Sequence, residues 1–534
     1  MTNTNTVGNG GNRGSTKSPS EQVSLRTWIG VLASMLGAFM AVLDIQITNA
    51  SLQEIQGALG ATLEEGSWIS TAYLVAEIVV IPLTGWLSRV FSLRRYLLVN
   101  TALFLLFSIT CAWAWNLNSM IIFRALQGFT GGVLIPTAMT VVLTYLPPSK
   151  QPIGLAVFAI TAVFAPSIGP TLGGWLTENF SWQYSFYINA FPGLLMLAGV
   201  WYGIKQERPQ LQLLKQGDWL GILSMAIGLG SLQVVLEEGS RKDWFGSALI
   251  VRLSIIAAIF LALFFWIELT RKQPFINLRL VRYRNFGLAS IINVSLGVGL
   301  YGSIYILPLY LAQIQGYNAL QIGEVLIWAG IPQLFIIPFI PKLMQRIDVR
   351  LMVAVGVALF SISVFMNSKM SYQTGLDQLR WSQLVRAMGQ PLIMVPLTSI
   401  ATAGLNPKEA GSASGLFNMM RNLGGSVGIA ALATLLTNRE QFHSNRLGES
   451  VSIYSSATQE RINQLTQYFA NRGGVDLETA KNQAIAAIDK IVRREAFVMA
   501  FNDCFYFIGI ALLLSGIAIL FIKKVKPTGG AVAH

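Results

Sequence analysis

The chain has 534 residues, of which 53% are hydrophobic and only 12% are charged. Soluble globular proteins carry about 25% charged residues, so this composition excludes an ordinary soluble domain and indicates a chain that lies in lipid. Cys111 and Cys504 both fall in apolar stretches, and neither His443 nor His534 has a metal-binding partner nearby in sequence. We therefore expect no disulfide framework, no metal site and no cofactor.

The chain opens with a polar segment, residues 1–26, whose Gly, Asn, Thr and Ser content is typical of a disordered cytoplasmic tail. Apolar stretches follow, each close to the roughly 20 residues that a helix needs to cross a bilayer. No small-residue cleavage site follows the first stretch, so we expect it to remain as a membrane helix. We predict fourteen transmembrane helices, at about 27–48, 67–88, 96–115, 119–146, 153–176, 184–204, 219–236, 246–268, 286–314, 321–341, 351–367, 379–404, 412–437 and 497–522.

The positive charge of the chain lies on one side of the predicted membrane. If the N-terminus is cytoplasmic, the cytoplasmic segments carry 22 Lys and Arg residues, whereas the short outer loops carry Arg241, Lys242 and Lys369. This asymmetry is the positive-inside pattern of a multi-pass protein with both termini in the cytoplasm. The net charge of +13 is explained by topology, and we expect no nucleic-acid partner.

One outer segment, residues 438–495, is much longer than the others. Within it, residues 457–470 and 476–494 show apolar side chains at helical spacing. We predict a long extracytoplasmic loop that contains helices.

Two strings in the chain indicate an internal repeat. Residues 124–136 read RALQGFTGGVLIP, residues 386–396 read RAMGQPLIMVP, and each copy leads to a basic turn that contains proline. Matching strings in two halves are typical of transporters built from two bundles, while the alternative is chance similarity between apolar helices. We predict an all-α membrane protein with six-helix bundles at 27–205 and 271–534, joined by two linker transmembrane helices at 206–270.

Ionisable side chains at membrane depth cost about 2.5–3.5 kcal/mol on insertion scales, so each is a functional candidate. Asp44, Glu77 and Arg124 lie in the first, second and fourth spans, and Arg386 and Arg421 lie in the twelfth and thirteenth. Glu77 lies in the middle of its span, where a carboxyl group is suited to bind and release a proton. The alternatives for Glu77 are a structural ion pair with Arg124 or another arginine, and a position at the rim of a cavity.

Asp44 and Arg124 are the other two candidates for proton coupling. Asp44 lies nearer the outer end of its span, so it is either a coupling acid or only a helix-end charge. Arg124 shares one helix face with Gln127, Gly128 and Gly131. A buried arginine on such a face usually holds a carboxylate or a group of carbonyl oxygens.

Aromatic and methionine side chains are frequent, and by default they contact lipid or pack in the core. A subset of them, with one glutamine, would line a central cavity, because flexible apolar walls suit a promiscuous site for hydrophobic ligands. The candidates for this cavity are Phe39, Tyr73, Gln127, Met139, Phe158, Tyr301 and Tyr305.

The fifth span carries no charge and contains the string APSIGPTLGG. Its prolines would bend the helix, and its glycines would let a neighbouring backbone approach closely. Such a helix suits the contact between the moving halves of a transporter. The residues of this string that matter are Pro166, Gly169, Pro170, Gly173 and Gly174.

Several strings stand in a fixed order along the chain: LDIQITNASL in the first span, RALQG in the fourth, APSIGPTLGG in the fifth and DWLGI at the start of the seventh. With the fourteen spans and the repeat, they resemble the motifs of the major facilitator superfamily. Within it the chain resembles the 14-helix drug:proton antiporters, specifically the EmrB-type multidrug efflux permeases. The resemblance runs from Leu32 to about Leu520, and it identifies Arg124 with the arginine that this family uses in proton transfer.

The chain departs from the family pattern at three places. The first-span motif of the family is LDxTIxNxAxP, from which Gln46 and Ser51 depart. The loop after the second helix reads GWLSRVFSLRR instead of GxLxDRxGRR, so Arg89 stands at the Asp position and Ser92 at the Gly position. Glu77 stands where the resemblance predicts no acid, which points to a preference for cations or to an extra coupling site.

The resemblance implies a proton-coupled secondary transporter of the inner membrane that exports hydrophobic, amphipathic or cationic compounds by alternating access and is not an enzyme. It also implies a periplasmic adaptor and an outer-membrane channel as partners, with residues 438–495 as the docking surface. One alternative is a proton symporter for uptake of a small nutrient, which the antiporter string disfavours. Another is a membrane enzyme, for which the outer loops supply no acidic metal site.

Overall fold

The computed structural model describes residues 23–215, 217–271, 274–405, 409–452, 454–473 and 476–524. Across these ranges the backbone forms helices and the turns between them, with no β-strand. Residues 1–22 of the predicted tail lie outside the described residues, and Leu25 and Arg26 already belong to the first helix.

The first half of the described chain forms ten helices, and two predicted spans are each divided in two. The bounds are α1 (Leu25–Ala50), α2 (Leu52–Leu59), α3 (Leu63–Gly66), α4 (Trp68–Phe91), α5 (Leu93–Ala112), α6 (Leu117–Gly131), α7 (Leu134–Tyr145), α8 (Gln151–Asn179), α9 (Tyr184–Tyr187) and α10 (Ala190–Gly203).

Prolines explain both divisions. Pro136 has no N–H to donate to the carbonyl of Gly132, where the fourth span is interrupted between α6 and α7. Pro192 has the same relation to Ile188, where the sixth span is interrupted between α9 and α10. The sequence predicted each of these spans as one continuous helix, whereas the structure has two helices in each.

The linker and the second half complete the described helices. They are α11 (Gln212–Lys215), α12 (Trp219–Glu238), α13 (Ala248–Thr270), α14 (Arg284–Gln313), α15 (Ala319–Ile336), α16 (Ile340–Arg346), α17 (Val349–Asn367), α18 (Leu376–Thr402), α19 (Ala410–Ser450), α20 (Ser456–Gly473) and α21 (Leu477–Gly516).

Thirteen helical segments of the described chain are long and apolar enough to cross a membrane. The fourteenth predicted span, the sixth in chain order, is the interrupted one, whose longer part, α10, has 14 residues. Helix α13 is apolar all round, and only five of its side chains are buried inside the protein, as expected for a helix that faces lipid on most sides. The all-helical membrane fold is therefore confirmed, with thirteen spans of full length in the described chain and the sixth predicted span divided between α9 and α10.

The helices pack as two groups. In the first half, α1 packs against α7, α8 and α10, and α4 packs against α6. In the second half, α14 packs against α19, α17 against α18, and α19 against α21. Contacts of α8 with α15 and α18, and of α4 and α7 with α19, join the halves.

The linker helices α12 and α13 pack against each other, and α12 also contacts α4 and α19. Glu238 of α12 accepts hydrogen bonds from Ser67 Oγ at 3.0 Å and Thr71 Oγ1 at 2.8 Å at the start of α4. Gln233 of α12 donates to Ser426 Oγ of α19 at 2.9 Å. Helix α12 is thus bonded to both halves at once.

Residues 438–495 are more helical than the predicted loop. Helix α19 continues to Ser450 and α21 begins at Leu477, so both membrane helices extend into this segment, and α20 packs on α21 between them. Asp476 caps α21 by accepting from Thr479, which holds the pKa of the Asp476 carboxyl below its ordinary value. The helices are continuous across both predicted loop boundaries, so the extracytoplasmic bounds 438 and 495 stay a prediction.

Candidate proton-coupling and substrate site

Asp44 and Arg124 form an ion pair inside the first helix group. The Nη1 atom of Arg124 lies 2.7 Å from Oδ2 of Asp44, and the two side chains are 1% and 0% exposed. Gln127 Nε2 donates to the other carboxylate oxygen, Oδ1, at 2.9 Å. Asp44 is therefore not a helix-end charge, and a structural role for the shared face of Arg124 and Gln127 is evident.

Two residues that the sequence did not single out complete this network. Asn189, at the break between α9 and α10, donates to Oδ1 of Asp44 at 2.6 Å and to Ser108 Oγ at 3.0 Å. Ser108 in turn donates to the carbonyl of Phe186 at 2.8 Å. The signal in the sequence was an asparagine in an apolar span three residues before a proline, where a helix break frees its side chain.

Arg124 is held from several sides. Its Nη1 atom also donates to Gln127 Oε1 at 2.7 Å, and its Nε atom donates to the carbonyl of Ile69 at 3.4 Å. The guanidinium carbon lies 4.3 Å from the centre of the Tyr73 ring, a cation–π contact. Because all of these partners belong to the first half of the chain, the network stiffens that half rather than joining it to the other.

Glu77 is placed differently. Its residue is 4% exposed and lies in the middle of α4, and its carboxylate makes no hydrogen bond or ion pair with any described residue. Its side chain packs against Gly132, where a Cβ would lie 2.9 Å from Cγ of Glu77. Arg124 is paired with Asp44 at 2.7 Å and lies only within electrostatic range of Glu77, and no ion pair joins Glu77 to another arginine of the described chain.

The residues of the helix-5 string divide between two contacts. A Cβ on Gly169 would overlap Cβ of Gln46, and one on Gly173 would lie 2.9 Å from the carbonyl oxygen of Ile47, so these glycines let α1 approach. Pro166 and Gly174 are buried and Pro170 is half-buried on the same helix. The glycines predicted for the contact between the halves therefore serve a contact within the first half.

The contact between α8 and the second half uses other small residues. A Cβ on Gly330 of α15 would lie 2.7 Å from Cβ of Ser167, and one on Gly323 would lie within reach of the Thr171 side chain. Here the glycines stand on the partner helix, so the sequence of α8 alone did not show this surface.

The seven candidate cavity residues do not gather around one space. Tyr73 and Gln127 belong to the Arg124 network, and Phe158 is buried in the core at 3% exposure. Phe39 stacks on Phe164 with ring centres 6.3 Å apart. Their role in substrate binding stays a prediction.

The other three candidates lie in the second half or at its contact with the first half. Met139 of α7 is 3.5 Å from Nδ2 of Asn418 on α19, so it lies where the two halves meet. Tyr301 donates to Oδ1 of Asn422 at 3.2 Å. Tyr305 lies close to Glu237 and Arg241 near the end of α12. Met139 and Tyr301 are thus the two candidates nearest to the contact between α7 and α19.

A cavity of about 780 Å³ lies at the other end of α4, beside the loop that departs from the family pattern. It is lined by Trp86 and Arg89 of α4 and by Asn277, Arg282 and Glu409 among others, and by none of the seven candidates. Arg89 therefore faces an open polar space instead of forming the clamp that an aspartate would form there.

No group of three or more His, Cys, Asp or Glu side chains suited to a metal ion occurs within the described ranges. What the site offers is one buried, unpaired carboxylate beside a contact between two helix groups, and one paired carboxylate inside the first group. A carboxyl group of the first kind can exchange a proton or hold a cation without dismantling the fold.

The model of the Major Facilitator Superfamily matches residues 34–429, which is most of the chain. The chain belongs to the Major Facilitator Superfamily. It is accordingly a multi-pass membrane protein of a transporter superfamily.

Three relatives resemble the chain over nearly its whole length. The colistin resistance protein EmrB of Acinetobacter baumannii is 34% identical over 93% of this chain and 97% of its own. The fatty acid resistance protein FarB of Neisseria gonorrhoeae is 32% identical over 95% and 98%. The multidrug export protein EmrB of Escherichia coli is 31% identical over 94% and 96%. The predicted EmrB-type relationship is confirmed.

Solved structures support the fold. The proton:xylose symporter XylE superposes with a TM-score of 0.59 at 13% identity, covering 95% of this chain and 98% of its own. The human organic anion transporter MFSD10 superposes with a TM-score of 0.53 at 13% identity, covering 91% and 99%. At this identity the similarity concerns the fold and gives no information about the substrate.

Proposed function

We propose that this protein is a proton-coupled efflux transporter that exports hydrophobic, amphipathic or cationic compounds from the cytoplasm by alternating access. The observation that carries the proposal is the unpaired carboxylate of Glu77 in the middle of a membrane helix. Relatives named for multidrug export, colistin resistance and fatty acid resistance support the efflux direction. In this proposal the protein performs no enzymatic reaction.

Glu77 is the proton-coupling residue in this mechanism, and Asp44 and Arg124 position the helices around it. In the outward state Glu77 takes a proton, which cancels the charge that held a cationic compound. In the inward state it loses the proton to the cytoplasm and becomes free to bind the next compound. Because proton and cation compete for one carboxylate, each ion excludes the other, as antiport requires.

The moving surfaces are the contacts between the halves. We assign residues 27–205 and 271–534 to the two rocking bundles and 206–270 to the linker. The α8–α15 and α4–α19 contacts join the bundles and contain small residues at close approach. Contacts of this kind slide or separate without leaving large voids, which supports a rocking motion.

In this proposal both termini lie in the cytoplasm and the protein resides in the inner membrane. The excess of basic residues in the segments assigned to the cytoplasm supports this orientation. It places the outer ends of α19 and α21, with α20, in the periplasm. These helices are the proposed docking surface for a periplasmic adaptor that leads to an outer-membrane channel.

The test is proton-gradient-driven transport of ethidium or Hoechst dye in inverted vesicles. We expect wild type to accumulate dye and to release protons upon dye addition, and Glu77→Gln to do neither while folding normally. Glu324→Gln is the matched control, because Glu324 is an exposed glutamate of α15, and we expect it to behave as wild type.

Other outcomes have definite meanings. Full dye-dependent proton flux in Glu77→Gln would move the coupling role to Asp44. Dye movement only in the uptake direction would replace efflux with symport. An absence of dye transport in wild-type vesicles would overturn the proposal of broad drug export.

A further inference from the structure

Helices α4 and α19 run antiparallel in contact and bring one residue of each half to the same level. A Cβ on Gly85 of α4 would lie 2.6 Å from the carbonyl carbon of Gly411 on α19. One turn further along both helices, a Cβ on Gly415 would lie 3.3 Å from the carbonyl oxygen of Ile81. The register of the two helices is therefore fixed over two successive turns.

The next turn brings Glu77 of α4 level with Met419 of α19, and Arg421 is two residues further along α19. Tyr301 of α14 lies within electrostatic range of both charged groups, Glu77 and Arg421. A negative group of the first half and a positive group of the second half thus face the same region, with a tyrosine between them.

Arg421 is a buried cation without an anion. Its residue is 5% exposed, and its guanidinium donates to Oδ1 of Asn418 on the same helix. Arg421 forms no ion pair with a carboxylate of the described chain, and Glu77 forms none with a basic side chain there. Removing a charge from water without a counter-ion costs several kcal/mol, so an anionic ligand at Arg421 would recover energy that the fold leaves unused.

The surroundings of Arg421 suit an amphipathic molecule. Asn418, one turn away, points its amide nitrogen at the sulfur of Met139, and the Tyr301 hydroxyl is bonded to Asn422. Asn418 and Asn422 are neutral amides. Arg124 and Asp44 lie within electrostatic range of Glu77 but are paired with each other, so Glu77 supplies the net negative charge and Arg421 the positive charge of this region. Methionine and tyrosine side chains provide adaptable apolar walls beside the charges.

We propose that Glu77 and Arg421 together bind zwitterionic amphipathic compounds, with the acidic group of the compound on Arg421 and its protonated amine on Glu77. This inference rests on the proposed function, because Glu77 is the same carboxylate that exchanges the proton. A proton on Glu77 removes the partner of the amine and leaves the acidic group on Arg421 as the single ionic contact. Proton binding thus weakens the complex at one end, and the compound is released.

The experiment measures binding separately from transport. The probes are a fluorescent fluoroquinolone, which carries an amine and a carboxylate, its methyl ester, which is a cation, and its N-acetyl derivative, which is an anion. The dissociation constant of each probe is measured by fluorescence with purified wild type, Arg421→Gln, Arg421→Lys and Glu77→Gln. Arg252→Gln, at an exposed position of α13, is the control.

We expect Arg421→Gln to weaken binding of the zwitterion and the anion by about tenfold or more and to leave the ester unchanged, since a charge-assisted bond is lost. Glu77→Gln should weaken the zwitterion and the ester but not the anion, and Arg421→Lys should restore part of the loss. The two variants act on opposite ends of one molecule, so misfolding of either cannot produce this crossed pattern.

Equal effects of Arg421→Gln on all three probes, or no effect on any, would overturn the inference. If wild type then still exchanged dye for protons, the proposed efflux function would remain valid without the inference about zwitterionic compounds. If wild type bound none of the probes and transported no dye, the inference and the proposed efflux function would both be overturned.

Discussion

Asp44 and Arg124 are paired within the first helix group, and this pairing leaves Glu77 as a buried carboxylate that forms no hydrogen bond or ion pair with the described residues. The distance between Oδ2 of Asp44 and Nη1 of Arg124 is 2.7 Å at almost zero exposure. Two acids that look alike in sequence therefore have different environments. One is fixed in a network, and the other is available for exchange.

Removing the charge of Asp44 should destabilise the protein. Asp44→Asn leaves Arg124 buried without its anion, and breaking a buried pair in this way costs about 3–5 kcal/mol. We expect a clear drop in thermal unfolding temperature in detergent and a lower yield of folded protein. The double variant Asp44→Asn with Arg124→Gln should recover part of the loss, because no uncompensated charge remains. An unchanged unfolding temperature in the single variant would show that the pair does not hold the fold.

Asn189 should contribute to the same network through its bond to the Asp44 carboxylate. Asn189→Ala removes donors to Asp44 and Ser108, and a hydrogen bond to a charged group is worth about 1.5–3 kcal/mol. The expected result is a lower unfolding temperature than that of Asn179→Ala, whose exposed side chain bonds only within its own helix. Equal unfolding temperatures in the two variants would contradict the proposed network.

The contact between α8 and α15 offers a direct test of bundle motion. A Cβ on Gly330 would lie 2.7 Å from Cβ of Ser167, and disulfides need Cβ atoms about 3.5–4.5 Å apart, so a pair of cysteines there should form a disulfide once the two helices separate by about 1 Å. We expect the double variant to crosslink under mild oxidation and to lose transport, with recovery after reduction. Each single cysteine variant serves as the control. A crosslinked protein that still transports would show that this contact stays closed through the cycle.

Glu238 should hold the linker against the first half. Its Oε1 atom accepts from Ser67 and Thr71, and its residue is fully buried. Glu238→Ala would leave both hydroxyls without this acceptor, at a cost of about 1–3 kcal/mol. The measurement is thermal unfolding, with Glu237→Ala as the neighbouring control. If both alanine variants unfold at the wild-type temperature, the bonds of α12 to α4 contribute nothing to stability.

Asp348 should make a pH-dependent contribution to stability. It caps α17, and the guanidinium of Arg350 beside it holds the pKa of the Asp348 carboxyl below its ordinary value. A lowered pKa in the folded state means that the ionised form stabilises the fold at neutral pH and that this contribution is lost as pH falls. Asp348→Asn keeps a capping side chain but removes the charge beside Arg350, so it should cost about 0.2–1 kcal/mol at pH 7, as a partly exposed ion pair does.

The check on Asp348 is the difference in unfolding free energy between wild type and Asp348→Asn at several pH values. The difference should shrink as the pH approaches and passes below about 4, the ordinary pKa of an aspartate. A difference that grows upon acidification would have the wrong sign and would contradict the assignment.

The sequence predicted the number and order of the spans because a bilayer demands long apolar helices whatever their packing. It also singled out the ionisable residues, since charge in an apolar span is visible without any structure. It left their pairing open. Whether Arg124 bonds Asp44 or Glu77 depends on how α1, α4 and α6 rotate about their axes, and local periodicity does not fix such rotations.

The contacts made by small residues show a second reason why the packing of the helices could not be predicted from the sequence. Gly169 and Gly173 were recognisable as sites of close approach, but their partner is α1 of the same half. The surface toward the second half depends on Gly323 and Gly330, 150 residues or so away in the chain, and close approach needs a small residue on only one of two helices. A pattern of small residues in one helix therefore predicts a close helix contact but not which helix is the partner.

Helix α19 runs without interruption from Ala410 to Ser450, a length of about 60 Å. The hydrocarbon core of a bilayer is about 30 Å thick, so about half of this rod stands clear of the lipid. A rigid rod converts rotation at its base into displacement at its tip, about 5 Å for every 10° over that free length. One rigid helix thus connects the cytoplasmic and outer faces of this protein. A partner bound at its outer end would move with each change in the tilt of α19 in the membrane.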